Sequence, residues 1–101
     1  MVLIYSTHQN TEEAVNLGHT LLKRKLAATV NIWPLQSMHM EKGEVKSQLG
    51  AVLMIKTFES KIAEIEELVE LNHEYAVPFV GAIEIRRFNR TFREWMGDIV
   101  K

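Results

Sequence analysis

The feature that most constrains this chain is a repeated order of periodicities, in which a strand-like run leads into a helix-like run and back, twice over. Asn10 and Glu13 have the spacing of a capping box. Beyond them Ala14, Leu17, Gly18, Leu21 and Leu22 recur as one face of a helix, and Lys23, Arg24 and Lys25 load its carbonyl end with positive charge. Before this helix stands the apolar run Val2–Tyr5, with Thr7 to Asn10 reading as a polar turn. After it, Thr29 to Trp33 alternates like a half-buried strand, and Pro34 argues for an edge or a bulge. The chain turns at Glu41-Lys42-Gly43-Glu44, where Gly43 tolerates positive φ, and returns over Val45–Thr57.

Ser60 is the expected cap of a second helix, whose Ile62, Ile65, Leu68 and Val69 share a face opposite Glu64, Glu66, Glu67 and Glu70. That helix should stop by Asn72-His73. A fourth strand is expected from Phe79 to Ile85, and Phe92, Trp95, Met96 and Ile99 mark a short terminal helix. The order predicts an α+β chain, a ferredoxin-like βαββαβ sandwich with an antiparallel sheet and a short C-terminal helix, as one domain over residues 1–101. Two helices cover one side of such a sheet. The other side must then carry Leu3 or Ile4, Val30 or Trp33, and alternate residues of Ala51–Ile55. An apolar surface of that kind predicts an obligate homo-oligomer.

Charge and cysteine content remove several classes. Twelve Lys+Arg against thirteen Asp+Glu leave a net charge of -1, against a general polyanion binder, and no cysteine means no disulfide, thiolate metal site or Cys nucleophile. No run approaches a membrane span and no signal-peptide pattern opens the chain, so no membrane partner and a cytoplasmic location are expected. RNA recognition modules share the βαββαβ order, yet they need exposed rings on the middle strands, and Ala51–Ile55 carries none; no nucleic-acid partner is expected. There is no nucleophile–base pair at matched spacing, no phosphate loop and no metal-hydrolase motif, so the chain does not read as an enzyme.

Several segments, in order, resemble the CutA divalent-cation-tolerance family across nearly the whole length: Val2 to Thr7; Leu21 to Ala28; Val30-Asn31-Ile32 with Pro34; Glu41 to Val45; Ile55-Lys56-Thr57; His73 to Pro78; and Asn89 followed by Phe92 and Trp95. The resemblance implies a non-catalytic protein that assembles as a compact homotrimer, is linked to tolerance of divalent metals, with copper binding in some members, and has a trimer like that of the PII signalling proteins. The chain departs from the family at Ser6 and Thr29, where some members carry cysteine, and at His39, Glu41, Gly50, Glu74 and Ala76. It looks like a divergent member. The alternative to metal handling is a PII-like trimer that binds a small molecule.

No cofactor is required, and a divalent cation, copper or zinc, is the expected ligand. His73 is the family-matched metal candidate, with Glu74 as an oxygen donor; the competing reading is a helix-terminal histidine bonded to backbone carbonyls. His39 between Met38 and Met40 has the composition of a soft-metal cluster, but on a strand it points away from both, which favours packing. His8 and His19 are expected in solvent. Lys56, Tyr75 and Trp95 are expected to line a ligand cleft between subunits, with Lys56 as the anion-binding charge; otherwise Lys56 pairs with a glutamate of the second helix. The glutamates of that helix read as a solvated face. Arg86 and Arg87, with Arg90 and Arg93, either pair with those glutamates or receive a phosphate.

Overall fold

The computed structural model describes residues 1–73 and 78–101. The chain forms β1 (Val2–His8), α1 (Thr11–Lys23), β2 (Thr29–Glu41), β3 (Glu44–Thr57), a 3-10 turn (Glu59–Lys61), α2 (Ile62–Leu71), β4 (Val80–Glu84) and α3 (Arg90–Ile99). The strands make one four-stranded sheet in the order β2-β3-β1-β4, with every neighbouring pair antiparallel. This is the α+β arrangement expected from the periodicities, and it is consistent with a ferredoxin-like fold.

Strict alternation along β1 sorts the sheet into two faces, because successive side chains point to opposite sides. Val2, Ile4, Ser6 and His8 are buried, whereas Leu3, Tyr5 and Thr7 are half-buried. Across the ladder the buried set meets Thr57, Ile55, Leu53 and Ala51 of β3. Ala14, Leu17 and Leu21 of α1 and Ile65 and Val69 of α2 close over this face, with Val30 and Ile32 of β2 at its margin. The register therefore assigns Leu3 and Trp33 to the open face, and Ile4 and Val30 to the helix side. On β3 the open face shows Val52, Met54 and Lys56, none of them a ring.

The helix ends are held by local chemistry. Asn10 Oδ1 accepts the Glu13 N–H at 2.8 Å, half of a capping box. The Glu13 carboxylate does not complete the box; it turns to His8 instead. At the other end Lys25 takes φ 60°, and its N–H bonds the Leu22 carbonyl while the Leu26 N–H reaches Leu21. These two bonds form a Schellman cap. The α2 start corrects the sequence reading: Ser60 lies inside the 3-10 turn, and neither that turn nor α2 has a side-chain cap. The Lys61 N–H bonds the Phe58 carbonyl at 3.0 Å, so the backbone closes the first turn and leaves Ser60 no capping position.

β2 and β3 run well past the sheet as a two-stranded arm, which stretches the molecule to 49 × 25 × 21 Å. Pro34 stays in register opposite Ala51 without a bulge, and β2 is an edge strand, where proline is tolerated. Lys42 and Gly43 make the tip with φ values of 51° and 81°, a two-residue turn with both central residues left-handed. Pairing puts Met38, Met40, Val45 and Leu49 on one side of the arm, all of them exposed. His39, Glu41, Glu44 and Lys46 take the other side. A lone two-stranded ribbon is marginal in water, so this apolar stripe is a surface built to be covered.

Candidate functional site

Two groupings of chemistry-bearing side chains flank the sheet. The first lies at the end of β1. His8 is fully buried as the last residue of the strand, which overturns the expectation of a solvated loop position. The strand simply continues three residues past its apolar run, and its alternation turns Ser6 and His8 inward. Ser6 Oγ lies 2.7 Å from His8 Nε2, and His8 Nδ1 lies 3.4 Å from Glu13 Oε1. In the neutral tautomer that satisfies both, Nδ1–H donates to the carboxylate and Nε2 accepts from the serine hydroxyl. Burial, reinforced by the neighbouring His73, holds the His8 pKa below its ordinary 6.5, against the opposing pull of Glu13. The order serine–histidine–carboxylate has the connectivity of a hydrolytic triad, but Ser6 is fully buried and offers no substrate a path to its oxygen.

His73 joins this grouping from the end of α2. Its ring packs 4.9 Å from that of His8, and its Nε2–H donates to the Thr7 carbonyl. This is the helix-terminal, backbone-bonded arrangement set against the metal reading. Glu74 lies outside the described residues. Among the described residues no group of three or more His, Cys, Asp or Glu side chains is placed to hold a metal ion. His39 is 3.5 Å from Glu41, on the side of the arm away from Met38 and Met40.

The second grouping lies on the open face. The Lys56 ammonium sits 5.6 Å above the centre of the Phe92 ring, and the Phe92 and Trp95 rings are 5.4 Å apart. Lys56 and Trp95 thus each neighbour Phe92, but Trp95 is not among the residues that line the cleft beside Lys56. Met1, Lys56, Phe88, Asn89 and Phe92 line a cleft of about 140 Å³ there. Among the described residues Lys56 makes no ion pair with α2, so its charge stays available beside an apolar wall. Tyr75 lies outside the described residues. Thr29 Oγ1, across the ladder from Lys56, is buried without a hydrogen-bond partner. Farther along the face, Phe79 rests on Gly81, where an added Cβ would come within 2.7 Å of the ring, and meets Tyr5 edge-on at 6.3 Å. Phe79, Ile83, Trp33 and Trp95 all remain exposed.

A family model described as CutA1 divalent ion tolerance protein matches residues 2–98. The chain belongs to the CutA1 family. Curated CutA relatives include the divalent-cation tolerance protein of Archaeoglobus fulgidus, 35% identical over 97% of this chain and 96% of its own length. The chloroplastic CutA 1 of Oryza sativa is 38% identical over 94% of this chain, which spans only 54% of that longer protein. The solved Archaeoglobus structure, described as a periplasmic divalent cation tolerance protein, superposes with a TM-score of 0.94 over the full length of both chains at 34% identity. The rice CutA1 crystal structure gives 0.94 at 36% identity, covering 99% of this chain and 93% of that one. The Archaeoglobus relatives carry the name of tolerance proteins rather than enzymes. Among the described residues no helix is long and apolar enough to cross a membrane.

Proposed function

We propose that residues 1–101 act as one unit in a non-catalytic homotrimer that serves divalent-cation tolerance in the cytoplasm. The observation that carries the assembly is uncovered apolar surface: an open sheet face with Trp33, Phe79 and Ile83 and, on the opposite side of the β2–β3 ribbon, an arm stripe whose Met38 and Leu49 are 68% and 77% exposed. Large uncovered apolar patches are rare on monomers. The arm reaches beyond its own body, which favours cover by another chain. Fractionation against compartment markers tests the cytoplasm against the periplasmic description of the Archaeoglobus relative.

In this proposal a copper or zinc ion is taken at His73 with Glu74, and Lys56, Tyr75 and Trp95 line a cleft completed by a neighbouring subunit. A neutral imidazole suits both metals, but two donors are half the usual tetrahedral set, so the partner chain must contribute. The second reading is a PII-like trimer that binds a small anionic molecule without metal. Two observations favour it: Lys56 over Phe92 with no ion pair among the described residues, and the engagement of the His73 ring with the Thr7 carbonyl. Native mass spectrometry with and without Cu(II) or Zn(II) separates the two. Metal uptake by the trimer that disappears in His73→Ala supports the first reading. A trimer whose mass does not change with metal leaves the second.

A further inference from the structure

The segment from the end of β4 into the first turns of α3 carries a charge pattern that neither reading uses. Arg86, Arg87, Arg90 and Arg93 fall within eight residues, four of the twelve basic side chains of a chain whose net charge is -1. No acidic residue interrupts them between Glu84 and Glu94. The glutamates of α2 do not neutralise this cluster: the only ion pair among its described residues joins Arg90 Nε to Glu94 Oε1 at 2.9 Å, within α3 and exposed on both sides. Exposed pairs of this kind contribute little and exchange readily for a better acceptor.

Arg87, Phe88, Asn89, Arg90 and Arg93 line an open groove of about 610 Å³. Its base is fixed. Phe88 packs against the small core formed by Ala28, Met96 and Val100, and meets Phe92 edge-on at 6.4 Å. The Arg93 guanidinium is docked 5.0 Å over the Phe88 ring and donates to the Phe88 carbonyl at 3.5 Å. A cation–π contact orients a guanidinium without consuming its charge, so Arg93 is held ready rather than neutralised. The α3 start opens on the same groove and is left electropositive. Asn89 makes no capping bond, the first turn holds no acidic residue, and the first intrahelical N–H closed there is that of Arg93 to Asn89. A basic first turn at the positive end of a helix dipole is unfavourable alone. An anion in the groove would reverse the sign of both terms.

We propose that this groove binds a soluble phosphate-bearing small molecule, with Arg87 and Arg93 as its main charge partners. A phosphate suits the site better than a carboxylate, because its oxygens can accept from two guanidinium forks and from free helix-end N–H groups together. The groove shares Phe88 and Asn89 with the Lys56 cleft but takes its charge from Arg87 and Arg93, and none of its lining residues belongs to the His8 and His73 grouping.

The test is calorimetric titration of the full-length protein with inorganic pyrophosphate and phosphate at low salt, alongside amide NMR. Saturable binding that weakens as salt rises, with amide shifts at Thr91 and Phe92, is the expected result. Arg87→Gln and Arg93→Gln should each weaken it by about tenfold or more, as for loss of a charged hydrogen bond. Both side chains are exposed, and an unchanged urea midpoint confirms intact folding. An Arg24→Gln variant should bind as the parent does. Undiminished binding in both groove variants, or no saturable binding at all, overturns the proposal. So does co-sedimentation with phosphatidylglycerol vesicles without pyrophosphate uptake, which would assign the groove to a lipid headgroup.

Discussion

Replacing His8 is the most informative perturbation of the folded chain. Its ring is fully buried, receives the Ser6 hydroxyl at 2.7 Å and touches Glu13 and His73. His8→Ala removes the ring, leaves a cavity between β1 and α1, and orphans a buried hydroxyl. One unsatisfied buried group costs about 1–3 kcal/mol, and truncating a large buried side chain adds a similar amount, so a loss of about 2–6 kcal/mol is expected. Ser6→Ala should be destabilising in the parent but neutral or stabilising once His8 is alanine, because the hydroxyl it deletes is already unpaired. The pH dependence has a defined sign. The folded pKa of His8 lies below 6.5, so the unfolded chain binds the extra proton first. Its contribution is complete above pH 6.5 and is lost as pH falls through that value toward and past the folded pKa, with a slope of at most about 1.4 kcal/mol per pH unit for one proton. Urea unfolding at fixed chain concentration from pH 5 to 8 measures this, since assembly shifts apparent stability. An acid slope equally steep in the parent and in His8→Ala would refute the assignment of a buried neutral imidazole.

Three further outcomes follow from particular contacts. At the arm tip, Lys42→Asn should stabilise by about 0.5 kcal/mol, because asparagine tolerates the left-handed region better, while Gly43→Ala should cost about 1 kcal/mol; urea midpoints report both. Thr57→Val deletes a buried hydroxyl that donates to the Leu26 carbonyl at 2.6 Å, and should cost about 1–2 kcal/mol in the same assay. Met40→Asp combined with Leu49→Asp should leave the circular dichroism of the body intact while lowering the assembled mass at a given concentration, since both side chains lie on the exposed apolar side of the arm.

The element order was legible because it rests on periodicity, and periodicity follows from which face must leave water. The α1 helix shows this best: Asn10 caps it, and Ala14, Leu17 and Leu21 are buried in the expected stripe. What alternation could not convey was that polar residues occupy inward positions. Ser6 and His8 continue the parity of Val2 and Ile4, and that parity was the available signal; their polarity masked it. Ser60 failed as a cap because a 3-10 turn closed by the backbone preceded α2. The projection of the arm was also hidden, since Met38, Met40, Val45 and Leu49 alternate as they would on any half-buried sheet. Of the expected cleft residues, Lys56 lies over Phe92, a contact across the chain that no local spacing encodes, while Trp95 meets Phe92 but does not line the cleft. Tyr75 and Glu74 fall outside the described residues. His73 reached the predicted helix end, and its bond to the Thr7 carbonyl depended on β1 running two residues beyond Ser6.

Homotrimer assembly rests on apolar surface that a single copy leaves wet. Static light scattering coupled to size exclusion, at micromolar chain concentration, tests it most directly. It predicts a particle of three times the 11.7 kDa chain mass, undiminished on dilution through that range. A well-folded particle of one chain mass, with Trp33 and Phe79 open to solvent, would contradict it.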